Sequence, residues 1–271
     1  LSDMKKEITL IIPDVHLKHE RMEEIIKHVD PDKIIFLGDY FDDFGDSPET
    51  IGDTCDWFSW SVKQPNRIHL YGNHDMHYSF AANDFKCSGY AQWKSFLIND
   101  RIDRKSWNQL RYYHILDDTW LLSHGGLHKQ YLPTTIGGLH ENRKQFLSEL
   151  SKYLDNSVVD GHRGHGWIFN AGFGRGGLQT YGGLTWCDYK IEFQPSIGLN
   201  QIFGHTPQRL DEAYYTVLAN NTIEKHVMDS NITGITDPFK SINIDLDSIG
   251  NPQWAIWDGK KIVIQNYKKH I

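Results

Sequence analysis

The sequence predicts an α/β fold whose N-terminal half holds a parallel sheet and whose C-terminal half is richer in antiparallel strands. Over residues 7–72, short apolar runs rich in β-branched and aromatic residues alternate with amphipathic stretches in a βαβαβ pattern. Five apolar runs along the chain end directly in Gly, Pro or Ser, as buried strands do. Near the C-terminus, strict alternation over residues 241–246 and the Asp258-Gly259 turn predict antiparallel strands.

The N-terminal elements follow from this periodicity and from helix-end signals. They are, in order, a strand at 7–14, a helix at 17–29, a strand at 33–38, a helix at 48–64 and a strand at 67–72. Ser47 is typical of an N-cap, Pro48 of the first helical position and Glu49 of the first turn, so the second helix begins there. Pro65 ends it. Parallel strands linked in this way require right-handed crossovers.

The remaining elements are less regular. We predict a helix at 83–110, strands at 111–116 and 119–124, a helix at 139–154, strands at 184–188 and 200–204, and C-terminal strands at 241–246, 254–257 and 260–264. Between them, residues 161–183 contain nine glycines in 23 positions and few hydrophobic residues. Long loops of this kind in compact domains are often functional.

Length and composition limit the function classes. The chain has 271 residues, and its candidate site residues run from position 14 to position 205, so we expect one domain over residues 1–271. Leu1-Ser2-Asp3 precede the first methionine, and we expect them to be a processing or expression remnant. The net charge of −7, with scattered Lys and Arg, argues against a nucleic-acid partner.

Cysteine usage and hydropathy predict a cytoplasmic protein. The three cysteines are odd in number and lack CxxC spacing, which favours neither a disulfide framework nor a thiolate zinc site. The simplest compartment for such a chain is the reducing cytoplasm. No apolar run approaches the ~20 residues of a membrane span, so we expect no membrane association.

Metal-ligand residues follow five of the predicted strands. In open α/β sheets, ligands bind beyond the carboxyl ends of strands, so these residues are expected to converge. The set is rich in oxygen and nitrogen and suits divalent metals. Its members are Asp14, His16, Asp39, Asn73, His124 and His205.

The residue types predict a two-metal site. Asp14 and His16 suit one ion, and Asp39, with two carboxylate oxygens, suits a bridge to a second ion. Asn73 and the imidazoles of His124 and His205 are the further ligands of the second ion. Coordination positions stay open for water and substrate. Two ions ~3.5–4 Å apart activate a water and stabilise both ends of an in-line displacement at phosphorus. Mn, Fe and Zn suit these ligands, and we expect Mn to serve best in vitro.

The same blocks contain a candidate acid. His74 directly follows a predicted ligand, so its side chain is expected to point towards the substrate and to protonate the leaving oxygen. Asp42 is expected to hold the His74 ring and to favour its protonated form. We interpret Asp75 as a brace for the loop. His77 and His128 lie close to the ligand blocks, and a structural role is favoured for both.

The ordered motifs resemble those of the calcineurin-like metallophosphoesterases. They are Asp-Val-His at 14–16, Gly-Asp-Tyr-Phe-Asp at 38–42, Gly-Asn-His-Asp at 72–75, His-Gly-Gly-Leu at 124–127, Leu-Thr-Trp-Cys-Asp at 184–188 and Phe-Gly-His-Thr-Pro at 203–207. The chain is most similar to the phosphoprotein-phosphatase branch, including compact bacterial and phage serine/threonine phosphatases. The resemblance implies a four-layer α/β/β/α sandwich of two mixed sheets flanked by helices. It also implies the six metal ligands and the His74–Asp42 pair as assigned above.

Two positions depart from the phosphatase pattern. Asp43 stands where that branch usually has a phosphate-gripping Arg, and Leu17 follows the first block in place of His-Gly. No His stands two residues after His205, which argues against the nuclease and cyclic-nucleotide branches. We predict that Arg175 or Arg163, the only Lys or Arg residues of the glycine-rich loop, replaces the missing Arg, because an Arg fork matches a phosphate.

The predicted function is therefore phosphate-ester hydrolysis by attack of a metal-bridging hydroxide. A phosphomonoesterase is favoured, with a serine/threonine protein phosphatase as one form of it, and the substrate is a small molecule, a nucleotide or a phosphoprotein. A phosphodiesterase or a hydrolase of dinucleoside polyphosphates is the alternative. A third reading is a metal-binding interaction module without turnover.

Overall fold

The computed structural model describes residues 7–79, 86–133, 136, 142–195, 198–209, 241–247 and 252–266. The chain forms two compact units, which we call the N-terminal unit (Leu1–Arg111 with Ser248–Ile271) and the central unit (Tyr112–Asp247). The single-domain interpretation stays a prediction, and Leu1-Ser2-Asp3 lie outside the described residues.

The strands are β1 (Thr9–Ile12), β2 (Lys33–Phe36), β3 (Arg67–His69), β4 (Tyr113–Leu116), β5 (Trp120–Ser123), β6 (Asn200–Phe203), β7 (Gln208–Arg209), β8 (Ser241–Asn243), β9 (Leu246–Asp247), β10 (Gln253–Trp257) and β11 (Ile262–Asn266). The helices are α1 (His19–Val29), α2 (Pro48–Ser61), α3 (Asn73–Met76), α4 (Gln92–Arg101), α5 (Arg104–Trp107) and α6 (Arg143–His162), with 3-10 turns at Lys129–Tyr131 and Phe173–Arg175.

The N-terminal unit is built on a five-stranded mixed sheet of order β11-β10-β1-β2-β3. β1, β2 and β3 are parallel, with Ile11 opposite Ile35, and β10 and β11 add antiparallel strands. The three apolar residues of β2 are buried, as a strand inside a parallel sheet requires. Ser47 caps α2, its side chain accepting from the Thr50 amide in a capping box. The predicted βαβαβ unit is therefore present, and the hairpin joined at Asp258-Gly259 is confirmed, with Gly259 at φ 81°.

The central unit contains a second mixed sheet, of order β4-β5-β6-β8. β4 pairs antiparallel with β5 through a turn at Asp117 and Asp118, both at positive φ, and β5, β6 and β8 are parallel. β7 and β9 form a separate parallel pair. The buried face of α6 carries the predicted residues Phe146, Leu147, Leu150 and Leu154. The prediction of an α/β fold with two mixed sheets and flanking helices is confirmed.

Four predicted elements differ from the structure. The strand predicted at 241–246, which we expected to be antiparallel, splits into β8 and β9, and these pair in parallel with β6 and β7. The predicted strand at 184–188 is wrong, because the amides of Trp186 and Cys187 both donate to the Gly183 carbonyl and close a turn. The predicted helix at 83–110 begins only at Gln92 and breaks at Ile102, which is extended, before Asp103 caps α5; residues 83–85 lie outside the described part. α6 runs eight residues beyond the predicted end at 154.

None of the helices in the described ranges is long and apolar enough to cross a membrane.

Candidate metal centre and active site

The first group of predicted ligands lies on the loops that leave β1 and β2. Ligand atoms of Asp14, His16 and Asp39 all lie within 4.8 Å of one another. His16 Nε2 is 3.8 Å from Asp14 Oδ2 and 3.7 Å from Asp39 Oδ2. His16 Nδ1 donates to the Asp42 carbonyl oxygen at 2.6 Å, because a carbonyl only accepts. Nε2 is left as the acceptor nitrogen facing the carboxylates, an arrangement that fits a divalent metal.

A buried carboxylate holds this edge of the sheet in shape. Asp75 is 0% exposed and accepts hydrogen bonds from the amides of Asp39 (2.7 Å), Tyr40 (2.7 Å) and Gly72 (2.8 Å). The backbone of Gly72 lies so close to Asp39 that an added Cβ would stand 2.0 Å from the Asp39 carboxylate oxygen. Glycine is therefore required there. Asn73 begins α3 directly after it and is buried.

The predicted acid pair lies beside these ligands. The His74 amide donates to Asp39 Oδ1 at 2.9 Å, and His74 Nδ1 lies 3.0 Å from Asp42 Oδ2. The ring centroids of His74 and His16 are 5.4 Å apart. The structure thus brings His74 and Asp42 into direct contact next to the ligand group.

Asp42 is a hub with three further partners that pattern reading did not assign to it. Its carboxylate lies 2.9 Å from His77 Nε2, 2.7 Å from the Tyr78 hydroxyl and 3.1 Å from Lys94 Nζ. Lys94 also contacts Asp46. The sequence favours a structural role for His77, and Lys94 belongs to a helix without motif residues. The only signal in the sequence was the proximity of His77 and Tyr78 to the third block.

These contacts shift the proton affinity of the pair. Burial disfavours the Asp42 carboxylate, but hydrogen bonds from His74, His77 and Tyr78 outweigh it and hold the pKa of Asp42 well below its usual range. Burial opposes the charge of His74, yet the Asp39 carboxylate and the Asp42 hydrogen bond raise its pKa to about 12. The arrangement therefore favours a protonated His74. Dications beside Asp39 would compensate that carboxylate and oppose the upward shift.

The other two predicted ligands meet in the central unit. His124 follows β5 and is 0% exposed, and His205 follows β6 at φ 69°. His205 Nδ1 lies 3.2 Å from His124 Nε2. Two imidazole nitrogens bound to one tetrahedral ion at about 2.0–2.1 Å stand about 3.3 Å apart. The pair therefore fits a shared divalent ion. Trp186 packs edge-on against His205, with 5.7 Å between the ring centroids.

The two arginines predicted to bind phosphate have different surroundings in the structure. Arg175 Nε pairs with Asp188 Oδ2 at 2.8 Å, and its Nη2 donates to the His205 carbonyl at 3.1 Å. Arg163 ends α6 and is exposed. The structure therefore places Arg175, and not Arg163, beside a predicted ligand.

Glu192 holds the loop that carries Arg175. Its two carboxylate oxygens accept from the amides of Gly174 and Gly182, each at 2.6 Å. Glu192 is 3% exposed, so the interaction is buried. Sequence reasoning missed Glu192, because a single Glu after a turn carries no pattern.

The position of the missing Arg is occupied by a paired acid. Asp43 Oδ2 lies 2.9 Å from Lys18 Nζ, and both side chains are partly exposed. The neighbouring Phe44 is fully exposed. The charge of Asp43 is thus partly compensated.

Comparison with known proteins agrees with the motifs. The sequence profile of the family described as calcineurin-like phosphoesterase matches residues 9–209. No curated protein sequence matches the chain.

The chain is also similar to solved structures that are distant from it in sequence. A metallophosphoesterase from Sphaerobacter thermophilus is 18% identical, with a TM-score of 0.47 over 97% of this chain and 89% of that chain. A putative diadenosine tetraphosphatase is 14% identical, with a TM-score of 0.47 over 99% and 97%. A protein serine/threonine phosphatase from Saccharomyces cerevisiae with similarity to human phosphatase PP5 is 15% identical, with a TM-score of 0.32 over 49% and 42%. At these scores the likenesses carry no argument about substrate.

Proposed function

Since this chain belongs to the calcineurin-like phosphoesterase family and is a metal-dependent hydrolase of phosphate esters, we propose that it cleaves phosphomonoesters with His74 as general acid. Family membership makes the chain an enzyme, which sets aside the non-catalytic metal-binding module. Asp42 holds the His74 ring in this proposal. Phosphoproteins carrying phosphoserine or phosphothreonine are one substrate class that fits.

The proposed ligand sets are those that the motifs indicate. Asp14, His16 and Asp39 hold one divalent ion, and Asp39 and Asn73 with His124 and His205 hold the second. The ligand geometry within each unit supports the proposal: three ligand atoms within 4.8 Å in the N-terminal unit and two imidazole nitrogens 3.2 Å apart in the central unit. When bound, such ions supply an activated water and stabilise the charge that develops at phosphorus.

The observation that carries the proposed role of His74 is its double attachment. Its amide donates to the ligand residue Asp39 at 2.9 Å, and its ring contacts Asp42 at 3.0 Å. A general acid needs both a fixed position beside the reacting group and a carboxylate that favours its protonated form. His74 has both, and its ring is only 18% exposed, so bulk water does not compete freely for its proton.

Arg175 is the proposed contact for the substrate phosphate. Its guanidinium is oriented by Asp188 and by the His205 carbonyl. The neighbouring residues 174, 176 and 177 are glycines, so they add no side chains beside it. An Arg fork binds two phosphate oxygens at once. The phosphate of a monoester, as a dianion, is stabilised most by such an Arg contact.

A leaving-group series tests the general acid. His74→Asn and wild-type enzyme, both loaded with Mn²⁺, are compared on an alkyl phosphate and on 4-nitrophenyl phosphate. The alkoxide leaving group needs a proton, whereas 4-nitrophenolate leaves readily without one. We expect kcat on the alkyl ester to fall about 10²–10⁴-fold and kcat on the nitrophenyl ester to fall much less.

The series has a matched control and a result that overturns it. His28 is exposed on α1, and His28→Asn should leave both rates unchanged. Metal content, measured on the same samples, should be equal in all three proteins. An equal loss on both esters at full metal content would exclude His74 as the acid.

A second candidate function is supported by Asp43. An acid in place of the expected Arg repels a monoester dianion more than a diester monoanion, and its pairing with Lys18 weakens this repulsion without reversing it. A phosphodiesterase or dinucleoside polyphosphate hydrolase is therefore the alternative. A panel of monoester, diester and dinucleoside polyphosphate substrates, ranked by kcat/KM, distinguishes the two.

A further inference from the structure

A thiol lies among the imidazoles next to the proposed acid. Cys87 Sγ is 3.2 Å from His77 Nδ1 and 3.7 Å from His74 Nδ1. Ligand atoms of these three residues, which we call the thiol–imidazole cluster, all lie within 4.8 Å of one another. Cys87 and His77 belong to neither of the two proposed ligand sets, although Cys87 Sγ also lies 3.7 Å from Nδ2 of the proposed ligand Asn73.

The spacing of the cluster matches that of a tetrahedral metal site. Zinc binds thiolate sulfur at about 2.3 Å and imidazole nitrogen at about 2.0–2.1 Å, which puts the two atoms about 3.5 Å apart around a tetrahedral ion. The two observed sulfur–nitrogen distances, 3.2 and 3.7 Å, lie on either side of this value. The spacing of these atoms is therefore compatible with one shared ion.

His77 has the tautomer that a metal ligand needs, although its Nδ1 lone pair now accepts from the Cys87 amide. The Cys87 amide donates to His77 Nδ1 at 3.2 Å, so this nitrogen carries a lone pair, and Nε2 donates to Asp42 at 2.9 Å. Metal-bound histidines commonly donate their other ring N–H to a carboxylate in this way. The His77 side chain is 0% exposed, and Asp42 adds negative charge that favours a dication nearby.

We propose that the thiol–imidazole cluster binds a soft divalent cation, Zn²⁺, through Cys87 Sγ and the Nδ1 atoms of His77 and His74. On binding, the Cys87 thiol and the Nδ1 atom of the protonated His74 ring each release a proton to solvent, and the sulfur becomes the thiolate ligand. One thiolate and two imidazoles select Zn²⁺ over Mn²⁺ or Mg²⁺, which favour oxygen ligands. The fourth position is open to water.

Occupation of this site inhibits the enzyme. The ion takes the Nδ1 atom of His74 that now faces Asp42, so the contact that fixes the ring is lost. Without that contact the ring no longer stands where it would protonate the leaving oxygen. This consequence rests on the proposed function of His74, whereas binding of the ion does not.

Cobalt substitution tests binding without using activity. Co²⁺ bound to a thiolate gives a sulfur-to-cobalt charge-transfer absorption that nitrogen and oxygen ligands do not produce, so the proposed two-metal centre is silent in this band. We expect the band in wild-type protein and its loss in Cys87→Ser. His77→Asn should weaken the affinity for Co²⁺ about tenfold or more.

Cys55 provides the matched control. It is 0% exposed, and Cys55→Ser should keep the band. A wild-type protein without the band, or a Cys87→Ser protein that retains it, overturns the site. Circular dichroism of each variant shows that a lost band does not come from unfolding.

The inhibition is measured separately. Mn²⁺-loaded enzyme is titrated with Zn²⁺ on an alkyl phosphate, and each variant is compared with its own rate without zinc. We expect Cys87→Ser to need at least about tenfold more Zn²⁺ for half inhibition. A charge-transfer band with equal zinc sensitivity would overturn the inhibitory role and leave the metal site. No turnover by wild type on any ester would count against the proposed function and leave the cobalt result standing.

Discussion

In each unit of this protein a buried carboxylate, Asp75 or Glu192, stabilises a functional loop, but the two carboxylates differ in what they hold. Asp75 of the N-terminal unit accepts from three amides that surround the proposed metal ligand Asp39. Glu192 of the central unit accepts from two glycine amides in the loop that carries Arg175. Asp75 therefore stabilises the backbone around a proposed metal ligand, and Glu192 stabilises the loop of the proposed substrate contact.

Backbone strain is also distributed unequally. In the N-terminal unit, four non-glycine residues of the site loops have positive φ: His16, Leu17, Asp39 and Asp42. In the central unit, His205 is the one site residue of this kind among those described, and glycines take most of the other left-handed positions. Left-handed conformations cost about 1–3 kcal/mol each. The N-terminal loops therefore need a stronger brace, which suggests why Asp75 holds three amides and Glu192 two.

Removing the stronger brace should have the largest effect. Asp75→Ala leaves three buried amides without their acceptor, each worth about 1–3 kcal/mol, so the free energy of unfolding should fall by several kcal/mol. Metal retention after dialysis should fall as well, because Asp39 loses its support. Asp75→Asn keeps one acceptor oxygen, so its free energy of unfolding should lie between those of wild type and Asp75→Ala. Urea denaturation and metal analysis measure these effects, and a loss under about 1 kcal/mol in Asp75→Ala would contradict the brace.

The proposed substrate contact comes next. Arg175→Ala removes charge-assisted hydrogen bonds worth about 1.5–3 kcal/mol, so kcat/KM on a monoester should fall about 10- to 100-fold with metal content unchanged. Arg163→Ala is the matched control, because Arg163 is exposed at the end of α6, and it should behave as wild type. Equal losses in the two variants would remove the distinction that the structure draws between them.

The weaker brace should have a smaller effect, and one of a different kind. Glu192→Gln keeps one acceptor oxygen but turns an amide NH₂ towards a backbone N–H, which should lower the free energy of unfolding by about 1–3 kcal/mol. KM should rise through the displaced Arg175 while metal retention stays at the wild-type level. Loss of metal in this variant would show that the two braces do not act on separate functions.

The smallest effect is a pH dependence that starts from His69 in the core of the N-terminal unit. Burial, with a smaller contribution from Arg67, lowers the pKa of His69 to about 3. The neutral ring is satisfied by Tyr40 and Ser61, each at 3.0 Å.

Because the folded pKa lies below the unfolded value of about 6.5, the unfolded state binds more protons below that pH. The free energy of unfolding is therefore unaffected by this group above about pH 6.5, and it falls as the pH decreases from 6.5 towards 3. Between pH 7 and 5.5 wild type should lose about 1 kcal/mol from this group. His69→Gln should lack this component, which urea denaturation at the two pH values measures; an equal slope in both proteins would contradict it.

The candidate site shows where sequence reasoning stops. The ligand residues stand directly after apolar strands, so local pattern and sheet geometry were enough to propose them. Lys94 and Tyr78, which share the Asp42 carboxylate with His74, follow no strand and match no spacing. The strand predicted at 184–188 is a turn instead, because its apolar residues Leu184 and Cys187 fill the core without strand pairing.

By itself the sequence determined the α/β class, the order of the site blocks and the family, because these depend on periodicity and on which residues end each strand. Tertiary structure alone decided which side chains share a carboxylate, which arginine faces His205 and where Cys87 meets two imidazoles. Such contacts join loops far apart in the chain, and their distances depend on packing and backbone conformation that no local pattern encodes.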